Sequence, residues 1–132
     1  KAFDTVSHQH IFQVLGHKGV DKHIIGLIRD LYTNCGTTME VGGQRSESIK
    51  ILGGVKQGDP LSPVLFNLAL DPLLCGLESK GVGFKYGEQL VTSLAFADDL
   101  ALLSDSWEGM QQNIKVVEEF CQLTGLRVQA SK

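Results

Sequence analysis

Apolar and polar positions along the 132-residue chain switch between two periods, and the switches mark out the elements. Ser7 caps a short helix that runs to His17 and is closed by Gly19. Its apolar positions Ile11, Phe12, Val14 and Leu15 share one face. Asp21 caps a second helix with Ile24, Ile25, Leu27, Ile28 and Leu31 on its buried side, ending near Asn34 and Gly36. Thr37 to Val41 and Ser48 to Leu52 predict two strands joined by the turn-forming Gly42-Gly43. The stretch from Gly53 to Pro60 is too rich in glycine for regular structure. From Leu61 to about Ser79 the chain is apolar on most sides, which predicts a buried rather than an amphipathic helix. Pro72 within it lacks a donor N–H and predicts a kink or local opening. Residues 81–86 and 89–103 predict strands, the second interrupted at Asp98-Asp99. Ser106 caps a fourth helix with Met110, Ile114, Val117, Phe120, Cys121 and Leu123 inward, stopped by Gly125, and Leu126 to Val128 starts a last strand. Helices first, then strand, helix, strands, helix and strand predict an α+β fold rather than a doubly wound one.

Composition narrows the class. The chain has one domain's length, and 42% apolar with 20% charged residues is the balance of a soluble, globular protein. No apolar run approaches the roughly eighteen residues that span a bilayer, and no basic-then-apolar leader opens the chain. It begins at Lys1 without an initiator Met, inside what proves to be a motif, so a piece of a longer protein is expected. A net charge of −3 argues against a stand-alone nucleic-acid binder, though not against a catalytic core whose basic surfaces lie elsewhere. Cys35, Cys75 and Cys121 fit no zinc or redox spacing and predict reduced thiols in an intracellular protein. His8, His10, His17 and His23 have no metal-clamp spacing.

The chemistry concentrates at Asp98-Asp99, two adjacent acids between the apolar runs Leu94-Ala97 and Leu100-Leu103. Carboxylates beside a core need partners or a metal, and Mg²⁺, a hard ion, takes one or two carboxylates plus substrate phosphates. On the pair alone, a solvent-facing hairpin tip is the stronger explanation. Two-metal phosphoryl transfer needs carboxylates on a rigid element, so that the ions sit about 3.5–4 Å apart. It also needs main chain that a nucleotide and a paired base can approach. Gly53, Gly54 and Gly58 permit that approach, and Gln57 carries both donor and acceptor.

Together these residues resemble the reverse transcriptases. Val55-Lys56-Gln57-Gly58-Asp59-Pro60-Leu61-Ser62-Pro63-Val64-Leu65-Phe66-Asn67 resembles their motif B, and Phe96-Ala97-Asp98-Asp99 their motif C. Lys1-Ala2-Phe3-Asp4-Thr5-Val6-Ser7-His8 resembles the tail of motif A, and residues 125–132 the beginning of motif D. Any one motif is a weak signal; four in order across the chain are a strong one. The wording of motifs A and B is most similar to non-LTR (LINE-like) retrotransposons, especially the group inserting into ribosomal RNA genes, with group II intron enzymes next.

The resemblance implies a right-hand polymerase, of which residues 8–61 belong to the fingers side and 1–7 and 62–132 to the palm. It implies an RNA-directed DNA polymerase acting on an RNA template, a DNA primer or nicked target DNA, and dNTPs, in the nucleus and away from membranes. Two Mg²⁺ ions, with Mn²⁺ as a substitute, are the implied cofactors. Asp98 matches the catalytic metal ligand, and Asp99 its neighbour, which supports the site and is expected to reach the second ion. Phe3 falls at the steric gate under the incoming sugar, with Ala2 beside the nucleotide. Gln57 and Gly58 match the pair lining the nucleotide pocket, Pro60, Ser62 and Pro63 its scaffold, and Lys132 a proton donor to leaving pyrophosphate. Two departures stand out. The family's motif A metal ligand lies three residues before the Lys-Ala-Phe-Asp segment, upstream of Lys1, so Asp4 is not that ligand and is expected to be structural. Gln129 replaces the usual Asn of motif D, which weakens the assignment of Lys132. With one carboxylate upstream and the thumb beyond Lys132, the fragment alone is expected to be inactive. The competing expectations are a catalytically dead, RNA-binding scaffold, a dead genomic copy, and an unrelated metal-dependent phosphotransferase, which leaves the Gln-Gly-Asp-Pro loop unexplained.

Overall fold

The computed structural model describes residues 2–33 and 35–129. After a 3₁₀ turn at Ala2–Asp4, helix α1 spans His8–His17, with the Ser7 hydroxyl accepting from the His10 N–H at 3.5 Å. Ile11, Val14 and Leu15 are buried, on the face the spacing predicts. Helix α2, Lys22–Thr33, opens where the Asp21 carboxylate accepts from the His23 N–H at 2.8 Å. Its buried face is narrower than expected: Ile28 and Tyr32 are covered, while Ile24, Leu27 and Leu31 are exposed.

A nested hairpin follows. Strand β1 (Gly36–Thr37) pairs antiparallel with β4 (Ile49–Lys50), and β2 (Glu40–Val41) with β3 (Gln44–Arg45). Gly42 and Gly43 both have positive φ (60° and 80°), as a two-residue type I′ turn requires. The returning arm therefore starts at Gln44 rather than Ser48. Between the two paired blocks, residues 46–48 face residues 38–39, so the returning arm carries one extra residue as a bulge. All eight strand residues are exposed.

Helix α3, Ser62–Lys80, buries a single stripe of Ser62, Leu65, Phe66, Ala69, Leu73 and Leu77 at helical spacing. Val64 on the far side is exposed, so α3 is covered on one face and not all round. It also runs through Pro72 without a break. Strands β5 (Phe84–Tyr86) and β6 (Gln89–Val91) form one antiparallel hairpin, β7 (Ser93–Phe96) and β8 (Asp99–Leu102) another. Helix α4, Trp107–Thr124, is capped by the Ser106 hydroxyl and stopped by Gly125 in the left-handed conformation. Its inward face turns on Gly109, Asn113, Val117 and Thr124, with Met110, Phe120 and Cys121 half-buried; the expected core residues Ile114 and Leu123 are exposed. Every strand pair among the described residues is antiparallel, in keeping with α+β.

Two apolar clusters hold these elements. The larger joins α1, α2 and α3 through Ile11, Leu15, Ile28, Leu65, Phe66 and Ala69, and takes in Val6, Val55 and Leu126 from the connecting segments. Burial of each of these side chains larger than alanine contributes about 1.5–3 kcal/mol. The smaller, Leu73, Leu77 and Val117, joins α3 to α4, with Leu100 and Leu102 of β8 packed on it. Leu126 is buried, but residues 126–128 form no strand, because no partner pairs with them among the described residues. The fully buried Asn113 fixes α4 to the sheet connections. Its Oδ1 accepts from the Val82 N–H (2.8 Å), and its Nδ2 donates to the carbonyls of Val82 (3.0 Å) and Leu103 (3.1 Å).

Candidate active site

Motif C forms the tip of the β7–β8 hairpin. Phe96 pairs with Asp99, leaving Ala97 and Asp98 as a two-residue turn. Ala97 has φ 51°, the one non-glycine residue with positive φ among the described residues. Positive φ at the first turn position and not the second is the type II′ pattern, where glycine is the usual occupant. An alanine there is strained by about 1–3 kcal/mol, which the flanking ladder must over-determine. The pairing puts Ser93, Ala95, Leu100 and Leu102 on one face of the hairpin and Leu94, Phe96, Asp99 and Ala101 on the other. The first face packs towards α3 and α4; on the second, Leu94 is 61% and Phe96 83% exposed. The apolar flanks of the Asp pair are thus not two buried strands. Both carboxylates are exposed as well, so water moderates their repulsion, which at about 4 Å is near 1 kcal/mol in bulk water. Desolvation does not demand a metal here.

What marks the site is convergence. Asp98 and Asp99 line a cavity of about 700 Å³ whose walls also include Ala2 and Asp4 from the motif A tail and Arg127, Val128 and Gln129 from the segment after α4. Its floor is apolar, with Phe66, Leu70 and Leu73 of α3 and Val117 and Phe120 of α4. All four motifs therefore meet at one hollow, motif B only through the Phe66 ring in its floor. Arg127, not singled out from the sequence, supplies a cation to the wall that carries the two acids. Only its place in motif D, two residues past the Gly125 cap, marked it.

Motif B lies against motif A by backbone pairing. The Val55 N–H donates to the Phe3 carbonyl (2.6 Å) and the Gly54 N–H to the Val6 carbonyl (2.8 Å), with Ser7 bridged to Gly53. Gly54, at φ 84°, meets the backbone of Asp4 so closely that a Cβ would sit 2.7 Å from it. The space at Gly54 is thus used by the chain itself and not held open for a nucleotide. Gly58, also at positive φ, has nothing near its Cβ position and keeps the openness expected of it. Gln57 lies at a second hollow of about 260 Å³, lined with Asp4, His8, Tyr32 and Lys56, and its Nε2 donates to the Asp4 Oδ1 at 3.0 Å. Asp4 and Gly53 border both hollows; Gln57 does not line the larger one.

Phe3 is half-buried and stacked on the core ring of Phe66, and it is absent from both cavity walls. Ala2 lines the larger cavity. Of the scaffold residues, Ser62 is buried and donates to the Lys56 carbonyl at 2.5 Å, and the Asp59 carboxylate accepts from the Leu61 N–H at 2.8 Å. His8 and His10 are structural: each Nε2 meets a carbonyl, of Gly54 and Ala69 respectively, at 2.8 Å, so each carries the proton and donates. Lys132 lies outside the described residues.

The donor set suits a hard divalent ion. Two carboxylates stand exposed on a cavity wall with no sulfur or imidazole beside them in that wall except the Cys121 thiol, and Mg²⁺ completes such a site with water and phosphate oxygens. Among the described residues no group of three His, Cys, Asp or Glu side chains converges.

Comparison with known proteins agrees with the motifs. The family described as reverse transcriptase (RNA-dependent DNA polymerase) matches residues 1–132. A retrovirus-related Pol polyprotein from type-1 retrotransposable element R2 of Popillia japonica is 45% identical over the whole chain, which covers 19% of that protein. The corresponding type-2 R2DM polyprotein of Drosophila melanogaster is 39% identical over the whole chain, 12% of its own length, and an R2 polyprotein of Nasonia vitripennis 38%, 13% of its length. The chain spans less than a fifth of these relatives, which are of the non-LTR kind that motifs A and B indicated. With a match along its full length and its motifs in family order, the chain belongs to the reverse transcriptase (RNA-dependent DNA polymerase) family.

Proposed function

We propose that the protein carrying this chain is the RNA-directed DNA polymerase of a non-LTR retrotransposon. It copies an RNA template onto a DNA primer or nicked target DNA in the nucleus. In the reaction the primer 3′-oxygen bonds to the α-phosphorus of a dNTP, the bond to the β-phosphate oxygen breaks, and pyrophosphate leaves. The observation that carries this is the shared cavity of Ala2, Asp4, Asp98, Asp99 and the segment after α4. No helix among the described residues is long and apolar enough to cross a membrane.

In this proposal residues 8–61 form the fingers side and 1–7 with 62–132 the palm. Asp98 and Asp99 are the residues that would hold Mg²⁺ or Mn²⁺, two ions shared with the upstream motif A carboxylate; bound there, the ions stabilise the charge that develops on the phosphoryl oxygens. Gln57 and Gly58 orient the nucleotide against the template base, Ala2 packs beside it, and Phe3 limits the room under its sugar. Lys132 donates a proton to the departing pyrophosphate.

The test is primer extension on an RNA template by the full-length protein that carries this chain, with and without Mg²⁺. Metal-dependent incorporation of dNTPs is expected. Binding of RNA without any incorporation would replace the proposal with the inactive scaffold.

A further inference from the structure

We infer that Asp4 is a positioning residue for Gln57, one that fixes which end of its amide meets the incoming nucleotide. The inference rests on the polymerase function proposed above. Gln57 Nε2 donates to Asp4 Oδ1 at 3.0 Å across 53 residues of sequence. An ionised carboxylate only accepts, so one N–H of the amide nitrogen is held by Asp4, and the carbonyl Oε1 is turned away from it as the end that can accept from a ligand. A glutamine without such a partner turns its amide over at little cost and presents either end.

Asp4 is well placed to hold this choice. It closes the 3₁₀ turn, in which the Thr5 N–H donates to the Ala2 carbonyl at 3.1 Å, and the neighbouring Phe3 carbonyl is tied to Val55. Its backbone abuts Gly54, where no Cβ fits. It also borders both the hollow beside Gln57 and the cavity of the Asp pair. With its amide held this way, Gln57 selects nucleotides that offer an N–H or O–H donor.

The test is a double-mutant cycle in the full-length protein, read as steady-state dNTP incorporation. Asp4→Ala is expected to raise the dNTP KM by about tenfold, the worth of one hydrogen bond to a charged group, with kcat little changed. In a Gln57→Ala background the same substitution should add nothing. Asp4→Asn, whose Oδ1 still accepts, should recover most of the lost KM, which separates positioning from a general defect in folding. Additive losses in the two backgrounds, or no recovery with Asn, would overturn the inference and leave the polymerase function standing. A full-length protein that incorporates no dNTP would overturn both.

Discussion

The rings of Phe3 and Phe66 lie stacked, with centroids 4.2 Å apart and planes 16° from parallel. Phe66 is a fully buried member of the larger core cluster, so the residue matched to the sugar gate is held in place by the core itself. Phe66→Ala should cost about 3–5 kcal/mol of stability. The milder Phe66→Leu keeps part of that volume, should cost less than the alanine variant and, by loosening the Phe3 ring, increase ribonucleotide incorporation relative to dNTPs in the full-length enzyme. Unchanged sugar discrimination with that substitution would uncouple the ring from the gate.

Gly54→Ala should destabilise the fold by on the order of 2 kcal/mol or more, since it adds a Cβ where φ is 84° and the Asp4 backbone stands 2.7 Å away. Gly58→Ala has the same backbone strain but open space around it, so it should cost less. Urea midpoints of the two variants, compared side by side, give the order.

Asn113→Ala strips partners from the Val82 N–H and from the Val82 and Leu103 carbonyls, and should cost about 2–4 kcal/mol. Hydrogen exchange should show faster opening at Val82. Slow exchange there in the variant would mean that the Asn113 side chain is not what protects that N–H.

Burial pushes the Cys121 thiol up, and the nearby Glu118 carboxylate adds to it; Cys75 is exposed. A raised pKa means less thiolate at a given pH. At pH 8, iodoacetamide should label Cys75 well before Cys121, as followed by peptide mass spectrometry, and the gap should narrow as the pH is raised.

Much of this was legible in the sequence because it depends on local chemistry. The hydroxyls of Ser7 and Ser106 cap α1 and α4, Gly125 stops α4, and Gly42-Gly43 turns the hairpin where expected. Which face of each helix is covered depends on neighbours that periodicity does not name. Ile24, Leu27 and Leu31 repeat like a core face yet are exposed. Asn113 sits inside a stripe that reads as apolar, and nothing local foretells that Val82 and Leu103 offer it three hydrogen bonds. The site behaves likewise. The Asp pair and the Gln57 loop were visible as motifs, and Asp4 was expected to be structural. That a glycine's space is filled by Asp4 rather than by a ligand, and that Arg127 reaches the cavity wall, follow only from the packing.

The most direct measurement is Mg²⁺-dependent primer extension on RNA by the full-length protein bearing Asp98→Asn. Because Asp98 is exposed at a hairpin tip, the substitution should leave folding intact, judged by an unchanged urea midpoint, while extension falls to background. Undiminished extension by the folded variant would contradict the metal role of Asp98 and, with it, the assignment of this cavity as the polymerase site.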